Sequence, residues 1–221
     1  LIDIERVSGS QYADQITGDD GDNVFRGKGG DDIIDGGDGV DQLRMDRAPS
    51  GVEADLSAGT VTIDGYGGSD TILNIENVRG SEFDDIIVGD NEVNVLEGRD
   101  GDDVLSGGAG NDTLDGGSGR DIADYSGGTA GITVTLMNNS VVDGYGDTDT
   151  LIDIERINGS EFSDSFAGSD GDDYLDGGGG DDTIDGGLGD DVLIGGDGAD
   201  TIDAGDGDDT IKYVGGADVI D

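Results

Sequence analysis

A nine-residue period runs through most of this 221-residue chain. Stepping by nine from Gly177 gives GGGGDDTID, GGLGDDVLI, GGDGADTID, AGDGDDTIK and YVGGADVID. Stepping back adds GSDGDDYLD and GSEFSDSFA, so one run of seven nonads spans 159–221. A run of five spans 80–124 (GSEFDDIIV, GDNEVNVLE, GRDGDDVLS, GGAGNDTLD, GGSGRDIAD). A run of four spans 9–44 (GSQYADQIT, GDDGDNVFR, GKGGDDIID, GGDGVDQLR). The sixth position is Asp in fourteen of these sixteen nonads and Asn in two, Asn23 and Asn94. The eighth is Ile, Leu or Phe everywhere except Ala123, and the first is Gly in fourteen. A repeat held in phase this long must be sought before any secondary structure is assigned.

Each conserved slot has a physical reason. Glycines at positions one and four allow a tight turn with positive φ at no Cβ cost. Such a turn points successive carbonyls inward, and the Asp at six adds a carboxylate to that ring of oxygens. Residues seven to nine, such as Val192-Leu193-Ile194, read as a three-residue strand whose middle side chain faces in and whose neighbours face out. One nonad is then a turn plus a short strand. Two nonads make one coil of a parallel solenoid, with the eighth positions stacked inside.

Composition alone points elsewhere. Asp and Glu number 54 against 10 Lys and Arg, a net charge of −44, with 46 Gly and 32% hydrophobic residues. That is the signature of a disordered chain, rich in self-repulsion and poor in apolar surface. Ordering nine residues costs several times what one buried Leu or Ile returns. Periodicity and composition agree if a cation completes the fold, because hard cations take oxygen ligands. The charge excludes nucleic acid and anionic membrane surfaces as partners, since both need basic patches. No Cys and no His removes disulfides, thiolate sites and the commonest zinc ligand. No apolar run is long enough to span a membrane. The chain starts at Leu1 rather than Met, so it is expected to be a piece of something longer.

The pattern G-G-x-G-x-D-x-U-x resembles the nonapeptide of the RTX (repeats-in-toxin) proteins, the calcium-binding parallel β-roll. Gly36–Arg44, Gly107–Asp115, Gly116–Asp124, Gly186–Ile194 and Gly195–Asp203 match it, apart from the small Ala123 in the apolar slot. The resemblance implies an all-β fold: a right-handed parallel β-roll with calcium ions in its turns. It also implies a ligand set. Each ion lies between turns two nonads apart, taking carbonyls of positions two and four plus Asp from one turn, and carbonyls of positions one and three plus Asp from the other.

Carried onto this chain, the resemblance implies ten sites. In the first run they use Asp14 with Asp32, and Asp19, Gly21 and Asn23 with Gly36, Asp38 and Asp41. In the second run they use Asp85 with Gly98, Asp100 and Asp103; Gly107, Ala109 and Asp112 above Asn94; and Gly101 and Asp103 with Gly116, Ser118 and Asp121. In the third run the first two use Asp164 with Gly177, Gly179 and Asp182, and Ser169, Gly171 and Asp173 with Gly186, Leu188 and Asp191. The next two use Gly178, Gly180 and Asp182 with Gly195, Asp197 and Asp200, and Gly187, Gly189 and Asp191 with Ala204, Asp206 and Asp209. The last uses Gly196, Gly198 and Asp200 with Asp218. Glu92 and Arg99 depart from the pattern. Tyr12, Phe83 and Phe162 replace Gly at position four in the first nonad of each run, and read as plugs over the apolar stack.

A longer repeat encloses the runs. LIDIERVSGSQY (1–12), ILNIENVRGSEF (72–83) and LIDIERINGSEF (151–162) sit 71 and 79 residues apart. The latter two follow VTIDGYGGSDT (61–71) and VVDGYGDTDT (141–150), with VEADL (52–56) and ITVTL (132–136) earlier still as strands by alternation. The segments 45–79 and 125–158 are expected to continue one elongated solenoid over 1–221 as wider, ion-poor coils, or else to form small β-units between three rolls. Asp64 and Asp70, and Asp143, Asp147 and Asp149, are candidate extra calcium ligands or ordinary polar turns.

No catalytic motif stands out. There is no G-x-x-x-x-G-K and no H-E-x-x-H, and Ser118 in GGSGR lacks the last Gly of a nucleophile elbow. Its mixed Thr, Val, Ile, Gln, Ser and Tyr at position seven does not suit a flat ice-binding array. The expectation is a non-enzymatic, calcium-dependent structural region of a large secreted or cell-surface protein of a Gram-negative bacterium, of adhesin or S-layer type. It would be exported by type I secretion machinery, bind about ten ions, and have neighbouring repeats of the same chain as its contacts. The alternative is a calcium-dependent folding and secretion module appended to an exported protease, lipase, epimerase or haemolysin.

Overall fold

The computed structural model describes residues 4–212 and 215–220; Tyr213, Val214 and Asp221 of the last nonad lie outside the described residues. Within it, residues seven to nine of the first fifteen nonads each lie in a short strand, from Gln15–Thr17 to Thr210–Lys212, and Val219–Ile220 of the last form another. None of the described strands exceeds six residues. They build two sheets of thirteen and twelve strands, and consecutive nonads alternate between them.

Register explains why one apolar residue per nonad suffices. Within the runs, each strand pairs in parallel with the strand eighteen residues on, as in Leu175↔Leu193 and Ile184↔Ile202. The eighth positions therefore stack directly above one another. Ile16, Ile34, Ile87, Leu105, Leu175 and Leu193 line the inner face of one sheet. Phe25, Leu43, Leu96, Leu114, Phe166, Ile184 and Ile202 line the other, and the two files meet in one core. Two nonads make one coil, so the chain forms the all-β parallel roll read from its period.

The segments between the runs use a different device. Glu53–Asp55, Thr60–Ile63 and Asp70–Leu73 form an antiparallel meander inside the twelve-stranded sheet. Its outer strands pair in parallel with Ile33–Asp35 and Ile86–Val88. Thr133–Thr135, Ser140–Val142 and Thr148–Ile152 do the same in the thirteen-stranded sheet. The opposite sheet crosses each insert in a single step, Gln42↔Asn77 and Ile122↔Arg156. The extra length therefore goes into hairpins within one sheet rather than into wider coils. The first hairpin of each meander turns through one left-handed residue, Gly59 at φ 68° and Asn139 at φ 51°, and the middle strand of each buries a Val, Val61 and Val141.

The position-four aromatics do not plug the core. Tyr12 is 80% exposed, Phe83 46% and Phe162 45%. Their backbones instead press against Gly30, Gly101 and Gly180 two nonads on, each at positive φ. There a Cβ would come within 2.5 Å of the aromatic residue's carbonyl carbon.

Candidate calcium sites

The Asp at position six divides its two oxygens between two roles. Oδ1 accepts the backbone N–H of position six in the turn below. Asp182 N donates to Asp200 Oδ1 at 3.0 Å, Asp191 N to Asp209 at 2.9 Å, and Asp103 N to Asp121 at 2.8 Å. From the third nonad of each run onward this ladder fixes the carboxylate plane. Oδ2 is then left over. In Asp32, Asp41, Asp103, Asp112, Asp121, Asp182, Asp191 and Asp200 it is buried and has no hydrogen-bond partner. A buried carboxylate oxygen without a partner is costly, and eight in a periodic row call for one shared explanation.

What faces these oxygens is another oxygen. A Cβ added to Gly186 would lie 2.5 Å from both Asp191 Oδ2 and the carbonyl of Ala204. A Cβ on Gly177 would collide with Asp182 Oδ2 and the Gly195 carbonyl, and one on Gly98 with Asp103 Oδ2 and the Gly116 carbonyl. Each bare Cα thus floors a cradle rimmed by oxygens from two turns. Position-two and position-four carbonyls of the lower turn also aim upward: those of Gly178, Gly180, Gly187 and Gly189 face the Cα atoms of Gly196, Gly198, Gly205 and Gly207. Backbone bonds lock the stack, Asp197 N to Gly178 O at 2.9 Å and Asp206 N to Gly187 O at 3.0 Å. The structure therefore brings together the expected sets around Asp182/Asp200, Asp191/Asp209 and Asp103/Asp121, with Gly101 N also bonded to Ser118 O at 3.0 Å. Asp200 meets Asp218, whose Oδ1 accepts Asp200 N at 3.2 Å, while the carbonyls of Gly196 and Gly198 face Gly215 and Gly216.

The first two turns of each run are built differently. Asp14, Asp85, Asp164 and Asp173 accept the backbone N–H of Ser10, Ser81, Ser160 and Ser169 on Oδ2, at 2.6 to 2.7 Å. The same serine hydroxyls donate to these carboxylates, as Ser81 Oγ does to Asp85 Oδ1 at 2.7 Å. Asn23 and Asn94 take the N–H of Asp19 and Asp90 on Oδ1. Asn94 Nδ2 donates to the Glu76 carbonyl at 2.8 Å, which an Asp could not do. In these closed turns the oxygen facing the position-one Gly is already satisfied. Asp32, Gly36, Asp38, Asp41, Gly98, Asp100, Gly107, Ala109, Asp112, Gly177, Gly179, Gly186 and Leu188 stand above them as the upper halves of the front pairs; Gly21 and Gly171 lie in the closed turns themselves. Two of these front pairs carry a cation of their own: Lys28 Nζ donates to the Gly9 carbonyl and Arg99 Nη1 to the Ser81 carbonyl at 3.1 Å.

Position two makes the difference. Open turns have it at positive φ, as in Gly37 (105°), Gly117 (95°), Gly178 (88°) and Gly196 (98°). Lys28 (77°) and Arg99 (99°) adopt the same conformation despite their side chains. Ser or Asp at position two keeps the ordinary φ and folds its N–H back onto the position-six side chain, an Asp carboxylate where it is Ser and an Asn carboxamide where it is Asp. Ser, or Asp with Asn at position six, in place of the position-two Gly is the sequence signal for a closed turn.

The DGYG turns add two further oxygens of the open kind. Asp64 Oδ1 accepts three backbone N–H groups, from Tyr66, Gly67 and Gly68 at 2.7 to 2.9 Å, and Asp143 Oδ1 does the same for Tyr145, Gly146 and Asp147. A polar turn explains Oδ1 but not Oδ2, which is buried and unpartnered in both. Beside them, Asp70 Oδ1 accepts Asp32 N and Asp149 Oδ1 accepts Asp112 N, each at 2.9 Å. Asp147 is engaged elsewhere, its Oδ2 accepting Gly110 N at 3.2 Å.

Burial pushes the carboxylates up. Asp103, Asp112 and Asp182 reach about 7 and Asp121 about 6, with desolvation the leading cause. Asp70 reaches about 7 and Asp149 about 6 by the same cause. Among the described residues no group of three or more His, Cys, Asp or Glu forms a metal centre. The cradles instead pair carboxylates across turns and fill in with carbonyls. That all-oxygen donor set, with charge to spare, suits calcium.

A family model for the RTX calcium-binding nonapeptide repeat (4 copies) matches residues 8–43, 56–73, 88–123, 158–193 and 185–220. The chain belongs to that family. RTX repeats bind calcium, so the residues that fit the ion here sit in a chain of the right kind. The match at 56–73 falls on the first insert and takes in Asp64 and Asp70, which the nonad phase alone does not reach. A comparison with curated proteins found no match. Among the described residues no helix is long and apolar enough to cross a membrane.

Proposed function

We propose that this chain is a calcium-dependent structural region of a large bacterial protein, secreted or displayed at the cell surface as in adhesins or S-layers. The observation that carries this reading is the row of eight buried, unpartnered Asp oxygens in the open turns. Without a cation they are repulsive and desolvated; bound calcium supplies the positive charge that offsets both. Ions are expected at Asp103/Asp121, Asp182/Asp200, Asp191/Asp209 and Asp200/Asp218, with one more at each DGYG turn. The role is structural rather than catalytic, since the carboxylates recur at every coil instead of forming one exceptional pair. Repetition of the whole meander-plus-run unit favours a stiff spacer over a single short module attached to an enzyme. A chain that folds only in calcium stays extended where calcium is scarce and folds once outside, which suits type I export. Circular dichroism in millimolar calcium and in excess chelator tests it. Strand signal in calcium alone is the expected result; undiminished strand signal in chelator would sink the reading.

A further inference from the structure

The open turns at the end of the first two runs have no nonad above them, yet their Oδ2 atoms are as bare as those inside the runs. Asp41 and Asp121 are both 0% exposed, and neither Oδ2 has a partner. What stands above them is the I-x-I-E stretch. Asp41 N donates to Glu76 Oε2 at 2.7 Å, and Asp121 N to Glu155 Oε2 at 2.7 Å. This is the bond that a position-six Asp accepts elsewhere in the ladder, made here by a side chain one carbon longer.

The carbonyl partner is replaced in the same way. In a nonad pair the position-one carbonyl of the upper turn faces the position-one Gly of the lower turn. Over Gly36 that place is taken by the carbonyl of Asn74, beside Asp41 Oδ2, and over Gly116 by the carbonyl of Asp153, beside Asp121 Oδ2. Asn74 and Asp153 sit at φ 49° and 48°, two of only five non-glycine residues at positive φ among those described. Side chains disfavour that region, and Asn and Asp tolerate it best. Backbone bonds from Glu76 N and Asn77 N to Asp41 O, and from Glu155 N and Arg156 N to Asp121 O, hold each junction at 2.9 to 3.2 Å. The two junctions are 79 residues apart and repeat every one of these features.

We propose that Glu76 and Glu155 are calcium ligands, completing one site with Asp41 and the Asn74 carbonyl and another with Asp121 and the Asp153 carbonyl. The ion row then crosses each insert on the side that the meander does not interrupt. This rests on the calcium reading above, with which it shares its cation, and adds two ions to those it expects.

The test counts ions on the full 221-residue chain. Native mass spectrometry in calcium would compare the wild type, the Glu76→Gln/Glu155→Gln variant and Asp200→Asn. Gln still accepts the Asp41 and Asp121 N–H groups, so a merely structural role leaves the count unchanged. The double variant should hold two ions fewer, with each single variant one fewer. If Asp200→Asn lowers the count and the Glu variants keep the wild-type number, the bridging sites are overturned and the calcium reading stands. A wild type that binds no calcium overturns both. Should the double variant fail to fold, long-wavelength anomalous maps of wild-type crystals grown in calcium decide: peaks at both junctions support the sites, and their absence at both removes them.

Discussion

A Gly at position two of a nonad leaves the turn open, and a Ser closes it. Gly178 at φ 88° leaves Asp182 Oδ2 bare, whereas Ser160 covers the matching oxygen of Asp164 through its N–H at 2.7 Å. Asp200→Asn still offers Asp182 N an acceptor oxygen, now a carboxamide's, and removes a charge from two cradles. It should raise the calcium midpoint roughly tenfold, as ligand charge sets calcium affinity, in a titration followed by circular dichroism. Gly117 is at φ 95° and a Cβ there would strike the Arg99 carbonyl. Gly117→Ala should cost about 1–3 kcal/mol in denaturant midpoints measured in calcium. Position six was legible from the sequence because one residue type fills it. The open-or-closed choice was harder to see, since Gly, Ser and Asp are all turn residues and only the φ at position two separates them. Arg99 and Lys28 show the limit of that signal: both adopt positive φ, which their residue types disfavour.

Among the elements, the three-residue strands follow from the period, since the eighth position alone faces in. Leu193 is fully buried in such a strand, and Leu193→Ala should destabilise the calcium-loaded roll by about 2–5 kcal/mol. The meanders were only half legible. VEADL and ITVTL read as strands by alternation, but alternation does not say whether a neighbour is parallel or antiparallel. The I-x-I-E glutamates carried no visible role, because their register against Asp41 and Asp121 is set by how many residues each hairpin absorbs. The turns also dictate a pH response. Asp103, Asp112 and Asp182 have folded values near 7 against 3.8 for the free side chain, raised mainly by desolvation. The metal-free coil therefore holds protons more tightly than the unfolded chain. Its relative stability is greatest below about pH 4 and is lost as pH rises through about 7. In chelator, acidification from pH 8 to 4 should increase strand signal. In calcium, protons compete for the same oxygens, so the calcium midpoint should rise as pH falls below about 7; a midpoint flat between pH 8 and 5 would contradict this.

At the scale of the molecule, a charge of −44 on 221 residues opposes compaction. The roll answers with two apolar files and a row of buried carboxylate cradles, whose charge a bound cation or a proton offsets. The two inserts place their extra strands in opposite sheets, the first in the twelve-stranded and the second in the thirteen-stranded one, while the other sheet runs through. The core files remain one cluster across both. On the proposed reading, composition describes the chain without calcium and the period describes it with calcium. Amide hydrogen exchange, read peptide by peptide at equal pH in calcium and in chelator, separates those states most directly. The ladder N–H groups of Asp103, Asp182 and Asp191 should be protected in calcium and exchange at the free-chain rate without it. Protection that persists along the roll in chelator would show that the fold stands without the ion, and the account would fail.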